Sequence, residues 1–111
     1  MIDALRIIDQ GHVSADKMLG SWAGAVGHLQ FMPTTFLKYA TDGDNDQRID
    51  IWDNLEDVFA SGGNYLSRIG WRYGELWGRE VKLPEDFDWS QAAKNIRKPV
   101  SHWRQLGVTK A

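Results

Sequence analysis

The sequence predicts a mainly α-helical fold that ends in a small tail of mixed helix and strand. Two observations support the helical part: apolar residues recur at helical spacing in three segments, and residues that favour helix ends flank them. A third observation, a short alternating stretch followed by a proline, separates the tail from these helices. We therefore expect a helical part over residues 1–78 and a smaller subdomain over residues 79–111.

The first helix is predicted to begin near Ile2, because apolar residues recur at helical spacing from there, and Gly11 is a suitable stop. Ser14 is a good N-cap for a short second helix. Glycines interrupt the next segment, 20–30, which predicts a loop that lies close to a neighbour. Pro33 is of the type favoured at the first position of a helix, and it opens a helix that ends near residue 40.

The strongest helical pattern follows an acidic segment and ends at Gly70. Its positions on one face are Leu55, Val58, Phe59, Gly62, Leu66 and Ile69. In the tail, Glu80–Leu83 alternates as a short strand does. Ser90 and Ser101 are suitable N-caps for two short helices there.

The composition excludes several classes of function. The absence of cysteine excludes disulfides and thiolate metal sites. The net charge of −2 gives no basic surface for nucleic acid, so no nucleic-acid partner is expected. No apolar run is long enough to span a membrane, so any membrane association would come from regions outside this chain. A chain of this size is marginally stable without a staple such as a metal ion.

Five aspartates lie at the spacing of a calcium-binding EF-hand loop over residues 42–53. The predicted ligands are Asp42, Asp44, Asp46, Asp50 and Asp53, with the backbone carbonyl of Arg48. Alternate residues of a turning loop can converge on one ion, and Ca²⁺ takes about 6–8 oxygen ligands. The alternative is a solvated acidic turn, but its like charges would repel one another. We therefore predict a structural Ca²⁺ ion, with Mg²⁺ as the less suitable metal.

The acidic loop departs from the EF-hand pattern at two positions. Gln47 replaces the usual glycine, and a non-glycine residue with positive φ costs about 1 kcal/mol. Asp53 replaces the usual glutamate and has a shorter side chain.

The glycine-rich segment carries residues suited to a sugar. Gln30 can both donate and accept hydrogen bonds, although it could equally satisfy the loop backbone. Phe31, Met32 and Pro33 could form an apolar shelf, and the alternative for the first two is ordinary core packing. His28 is expected at the edge of a cleft. Tyr65 could face the sugar or lie in the core.

The run from Gly20 to Pro33, GSWAGAVGHLQFMP, resembles the segment GSWAGAMG..QFMP of the lytic murein transglycosylase B family. An acidic loop, an Asn-Tyr pair and a Gly-Trp pair then follow in the family's order, and tail motifs around Trp77 and Trp103 are also similar. The resemblance implies a lysozyme-like transglycosylase domain of the Gram-negative periplasm. It implies an enzyme family that cleaves the β-1,4 bond between N-acetylmuramic acid and N-acetylglucosamine in peptidoglycan and forms a 1,6-anhydro product.

Two features of the family pattern are missing, the catalytic glutamate and the C-terminal Tyr-Asn substrate motif. The family's single catalytic glutamate lies upstream of the Gly-Ser-Trp motif, whereas the first glutamate here is Glu56. Ser21 matches the serine that orients this glutamate. The resemblance therefore implies a fragment that is inactive alone, and loss of its neighbours could expose an apolar face that forms a dimer.

Two other functions remain open from the sequence. One is a non-catalytic, calcium-stabilised module that binds peptidoglycan glycan strands. The other is a calcium-dependent interaction domain. A calcium sensor usually has paired EF-hands and a methionine-rich groove, and a single loop with 3 methionines disfavours it.

Overall fold

A computed structural model describes residues 1–111 and shows a mainly helical chain with one small sheet. The elements are α1 (Ile2–Asp9), α2 (Pro33–Tyr39), α3 (Leu55–Arg68), β1 (Val81–Lys82), α4 (Val100–Gln105) and β2 (Thr109–Lys110). The chain divides into two compact units, Met1–Tyr73 and Gly74–Ala111. None of the helices has the length and apolar character that crossing a membrane requires.

The predicted first helix is confirmed, but the predicted second helix is wrong. Gln10 caps α1, and Gly11 follows with φ +81°, the left-handed conformation typical of a glycine stop. At Ser14 the chain makes a single turn, in which the backbone N–H groups of Lys17 and Met18 both donate to the Ser14 carbonyl at 3.1 Å. One turn gains too little to propagate before the glycine-rich segment begins, because helix nucleation is unfavourable.

The two other predicted helices of the first unit are confirmed. Pro33 occupies the start of α2, as expected from its fixed φ. Asn54 caps α3, and its side-chain oxygen accepts hydrogen bonds from the backbone N–H groups of Glu56 and Asp57. Ile69 ends α3, and Gly70 follows with φ +105°.

The core of the first unit lies between its three helices and the two loops that connect them. α1 packs on α2, and α2 packs on α3. The buried apolar side chains are Ile7, Val13, Val26, Phe31, Phe36, Ile51 and Val58. Two of them, Val26 and Phe31, belong to the glycine-rich segment, and Ile51 belongs to the acidic loop. Both loops are therefore anchored in the same core.

The second unit contains the small sheet, and only its first strand was expected. β1 pairs antiparallel with β2, with Val81 opposite Lys110. A single turn of 3₁₀ helix covers Trp89–Gln91, and its N-cap is Asp88, whose carboxylate accepts from the Ser90 N–H at 3.0 Å.

The prediction that Ser90 and Ser101 are helix N-caps is wrong for both residues. Each serine is the second residue of its helix. The N-cap is Asp88 in one helix and Pro99 in the other. Asp88 accepts the hydrogen bond that a capping serine would accept, and Pro99 already has the extended conformation of a helix entry.

Candidate functional site

The glycine-rich loop is a compact structure closed by its own backbone. The Ser21 N–H donates to the Ala25 carbonyl at 2.7 Å, and the Gly24 N–H donates to the Ser21 carbonyl at 3.0 Å. The Ser21 hydroxyl accepts from the Ala25 N–H at 3.2 Å. Val26 then pairs with both Gly20 and Phe31 through isolated bridges, which tie the loop to the core. Ser21 therefore shapes this loop whatever else its hydroxyl binds.

Gln30 turns back on the loop that carries it. Its backbone has φ +50°, and its side-chain amide donates to the Gly27 carbonyl at 2.9 Å. Of the two possibilities for Gln30, this contact corresponds to the one in which its side chain satisfies a hydrogen-bonding group of the loop backbone. The residue is exposed, so the hydrogen bond also holds its amide at the surface.

The other predicted sugar-binding residues fall into two groups. Phe31 is 6% exposed and packs against Tyr65, with their ring centroids 5.3 Å apart, so the alternative of core packing describes Phe31. Tyr65 is half-buried and also contacts Tyr39 edge-on. Met32 is 46% exposed. Phe31 therefore has a packing role, whereas Met32 remains at the surface.

Two grooves border the loop. Ser21, Met32 and Pro33 line one of about 490 Å³, together with Met1, Ala4, Met18, Gly20, Ala23, Gly24 and Val26. His28 and Gln30 line a second groove of about 320 Å³ with Trp52. The predicted residues other than Phe31 and Tyr65 thus lie at grooves on the surface of the glycine-rich loop.

In the acidic loop, the structure brings together three carboxylates. An oxygen atom from each of Asp42, Asp44 and Asp57 lies within 4.8 Å of the other two. The first two were predicted as metal ligands. Asp57 was not, because it lies four residues beyond the end of the predicted loop, in the first turn of α3.

Asp57 holds the acidic loop to α3. Its side chain is 0% exposed, and its two oxygens accept from the backbone N–H groups of Gly43 and Asp50, each at 2.7 Å. A carboxylate in the first turn also interacts favourably with the helix dipole. One buried side chain therefore joins both halves of the loop to the helix that follows.

The remaining predicted ligands lie outside this group of three carboxylates. Asp46 accepts from the backbone N–H of Arg48 at 2.8 Å. Asp50 accepts from the N–H groups of Trp52 and Asp53, both at 2.9 Å, and Arg48 approaches its other oxygen at 3.4 Å. Asp53 is exposed. Their roles as metal ligands stay predictions.

Two side-chain pKa values shift at this loop. Burial lowers the pKa of His12, as does the nearby positive charge of Arg48, and both outweigh the carboxylates of Asp42 and Asp57. The lowered pKa agrees with the hydrogen bond that His12 Nδ1 accepts from the Ile49 N–H at 3.0 Å, which requires a neutral ring. The pKa of Asp44 is also lowered, mainly by the hydrogen bond from the Asn54 side chain.

Gln47 has the left-handed backbone that its position in the loop predicts. Its φ is +69°, and φ of Asn45 is +61°. Because glycine adopts this conformation without steric strain, we expect Gln47→Gly to raise the free energy of unfolding by about 1 kcal/mol. Chemical denaturation followed by circular dichroism measures this change.

The matched control is Gln10→Gly. Gln10 has φ −74°, so the same substitution there should lower the free energy of unfolding by about 0.5–1 kcal/mol. Destabilisation by both substitutions would show that the strain at Gln47 is negligible.

The helices, the glycine-rich loop and the acidic loop together form a lysozyme-like transglycosylase fold. Residues 1–111 match the family described as "Transglycosylase SLT domain", and the chain belongs to this family. A curated relative, "Membrane-bound lytic murein transglycosylase B" of Escherichia coli (strain K12), is 43% identical over 59 residues, which cover 53% of this chain and 16% of the relative.

Solved structures give the same assignment over nearly the whole chain. SltB3 from Pseudomonas aeruginosa, solved in complex with NAG-anhNAM-pentapeptide, is 48% identical and has a TM-score of 0.93, with coverage of 99% of this chain and 29% of SltB3. Escherichia coli Slt35, solved in complex with calcium, is 26% identical and has a TM-score of 0.70, with coverage of 97% of this chain and 33% of Slt35. The chain thus spans about a third or less of the length of these relatives.

Proposed function

We propose that this chain supplies part of the glycan-binding cleft of a lytic murein transglycosylase. Such an enzyme cleaves the β-1,4 bond between N-acetylmuramic acid and N-acetylglucosamine in peptidoglycan and forms a 1,6-anhydro product. We place it in the Gram-negative cell envelope, on the periplasmic side. The observation that carries the proposal is the fold of the glycine-rich loop within a chain that superposes on a muropeptide-bound relative with a TM-score of 0.93.

The geometry of the loop supports glycan binding. Gly24 is exposed and has φ +91°, so no side chain separates its backbone from a ligand. The exposed amide of Gln30 is fixed by its hydrogen bond to Gly27, so little side-chain entropy is lost when a sugar binds. Met32 and Pro33 add apolar surface to the larger groove.

The residues present do not supply the general acid. Protonation of a glycosidic oxygen at neutral pH needs a carboxylic acid with a raised pKa in an apolar pocket. The carboxylates before Ser21 are Asp3, Asp9 and Asp16, and none of them lines the larger groove. We therefore propose that Ser21 positions an acid that this chain does not contain, and that the chain alone is inactive.

The test is to incubate the purified chain with insoluble murein. We expect the chain to sediment with the glycan, and we expect chromatography of the supernatant to show no 1,6-anhydro-muropeptides. Failure to sediment with murein would contradict the binding role. Release of anhydro products, abolished by substitution of an aspartate in this chain, would contradict the inactivity.

We also propose that the acidic loop binds a structural Ca²⁺ ion. The residues fit a hard cation: three carboxylates converge within 4.8 Å, and carboxylate oxygens are ligands that Ca²⁺ prefers. We propose Asp42, Asp44 and Asp57 as ligands, with further oxygens from the loop. The ion would offset the repulsion among these charges, and the structure of Slt35 with calcium supports the choice of metal.

Calcium is expected to stabilise the first unit. A ligand that binds only the folded state at a hundredfold excess over its dissociation constant adds about 2.7 kcal/mol. Thermal unfolding in millimolar Ca²⁺, with Mg²⁺ and a chelator as references, measures this effect. An unchanged melting temperature in Ca²⁺ would contradict the site.

Two charge-matched variants separate the revised ligand set from the one predicted by the EF-hand spacing. Asp44→Asn removes a charge from the group of three. It should raise the Ca²⁺ concentration needed for half of the stabilisation at least tenfold. Asp53→Asn removes an equal charge from an exposed residue outside the group and should change it little. A larger loss of calcium stabilisation in Asp53→Asn than in Asp44→Asn would support Asp53 as a ligand.

A second candidate is a calcium-stabilised module that binds peptidoglycan and takes no part in cleavage. The two candidates differ when the chain is supplied with the remaining segments of a relative such as SltB3. Restored lysis that depends on Ser21 supports the first candidate, and binding without lysis supports the second.

A further inference from the structure

We infer that the indole of Trp22 is a stacking platform for a pyranose ring of the glycan strand. This inference deepens the proposed function and rests on it. It adds a ring surface at a place where the sequence analysis expected one from Phe31, which is buried in the core.

Trp22 is the most exposed aromatic residue of the glycine-rich loop, at 101% of its reference area. Its ring makes no ring–ring contact, and its Nε1–H donates no hydrogen bond. By contrast, the half-buried Trp52 donates from Nε1 to the Leu19 carbonyl at 2.9 Å. The whole indole, with two faces and one donor, is therefore free to meet a ligand.

The backbone on both sides of Trp22 is held in place. Ser21 and Ala25 are joined by two hydrogen bonds, and the Gly24 N–H closes the turn on the Ser21 carbonyl at 3.0 Å. Val26, at the end of the turn, is 5% exposed in the core. An aromatic side chain has few rotatable bonds, so on such a backbone it loses little entropy when it binds.

The position of Trp22 favours a saccharide as its partner. Its neighbours Ser21 and Ala23 both line the groove of about 490 Å³, and Met32 lies in the same wall. Trp22 itself does not line the groove, so the indole would meet a glycan strand that extends beyond the edge of the groove. The C–H face of a pyranose suits an apolar aromatic surface, and the indole N–H can donate to a hydroxyl or an N-acetyl oxygen.

The test titrates the full chain, labelled with ¹⁵N, with a soluble β-1,4-linked N-acetylglucosamine oligomer. We expect the indole N–H signal of Trp22 to shift, and Trp22→Ala to weaken binding about tenfold, in line with the strength of aromatic stacking. Trp22→Tyr should retain most of the affinity. Trp77→Ala is the matched control, because Trp77 is 100% exposed in the second unit.

The outcomes separate this inference from the proposed function. If the wild-type chain binds the oligomer and Trp22→Ala binds it as well as Trp77→Ala does, the stacking role is overturned and the proposed function stands. If the wild-type chain binds neither the oligomer nor murein, both fall. Broadening of the Trp22 signal with protein concentration, without saccharide, would assign the indole to contact between two copies and overturn the inference.

Discussion

Asp57→Ala is expected to lower the free energy of unfolding of the first unit by about 3 kcal/mol or more. The substitution removes two short hydrogen bonds and leaves the N–H of Asp50 buried without a partner. Since small domains have only about 5–15 kcal/mol in total, much of the chain should be unfolded at modest denaturant concentration. Urea denaturation followed by circular dichroism, in the presence of a chelator, measures the change.

Asp53→Ala is the control for Asp57→Ala. It removes an equal charge from the acidic loop, but the side chain is exposed, so the free energy of unfolding should change by no more than about 0.5 kcal/mol. Asp57→Asn should be intermediate, because the amide keeps one acceptor but directs an N–H group at a backbone donor. Equal effects of Asp57→Ala and Asp53→Ala would show that Asp57 does not hold the acidic loop to α3.

The role of Asp57 could not be predicted from the spacing of the acidic residues. The EF-hand pattern covers residues 42–53, and an aspartate early in a helix has a sufficient local explanation in capping and in the helix dipole. Its contacts with Gly43 and Asp50 form only when the loop folds back on α3. The sequence does contain a signal, since Asp57, Ser61 and Asn64 lie at helical spacing beside the apolar face.

This polar row has a single structural purpose. Ser61 accepts from the Thr41 N–H at 2.8 Å, and the Asn64 side chain donates to the Tyr39 carbonyl at 2.8 Å. With Asp57, the row satisfies the backbone of the chain between α2 and the acidic loop. A row of short polar residues next to the apolar stripe of a helix therefore indicates a loop that packs on that helix.

Helix ends marked by proline or glycine were predicted well, whereas the serine caps and the strand β2 were not. Pro33, Gly11 and Gly70 mark helix ends through their own backbone preferences, so α2 and the ends of α1 and α3 could be located. β2 comprises two residues, and its only definition is its pairing with β1, which lies 27 residues away at the nearest point. Such a strand leaves no periodicity in the sequence.

The glycine-rich loop shows the same limit within a single site. The glycine spacing predicted a loop over residues 20–30, but it could not distinguish which side chains face inward. Val26 and Phe31 pair across an isolated bridge and enter the core, whereas Trp22 and Met32 remain exposed. Close to these residues, Gly27 packs against Ile51, and this contact links the loop to the acidic segment.

Gly27→Ala is expected to be among the most damaging substitutions in the loop. A Cβ atom there would lie 2.6 Å from Ile51 Cγ1 and 2.7 Å from the Ile51 carbonyl oxygen, and φ of Gly27 is +67°. Left-handed strain costs about 1–2 kcal/mol and overpacking about 1–3 kcal/mol, so we expect a loss of about 3 kcal/mol. Loss of murein sedimentation should accompany it, because the Ile51 carbonyl also accepts from the His28 N–H at 2.9 Å.

Two other glycines separate the causes of this loss. Gly11 has φ +81° with no atom within 4 Å of its Cβ position, so Gly11→Ala should show the strain alone, about 1–2 kcal/mol. Gly63 lies inside α3 with equally open surroundings, so Gly63→Ala should stabilise the chain by about 0.5–1 kcal/mol. If Gly27→Ala were no worse than Gly11→Ala, Ile51 would have room to move, and the contact between the two loops would be looser than the distances indicate.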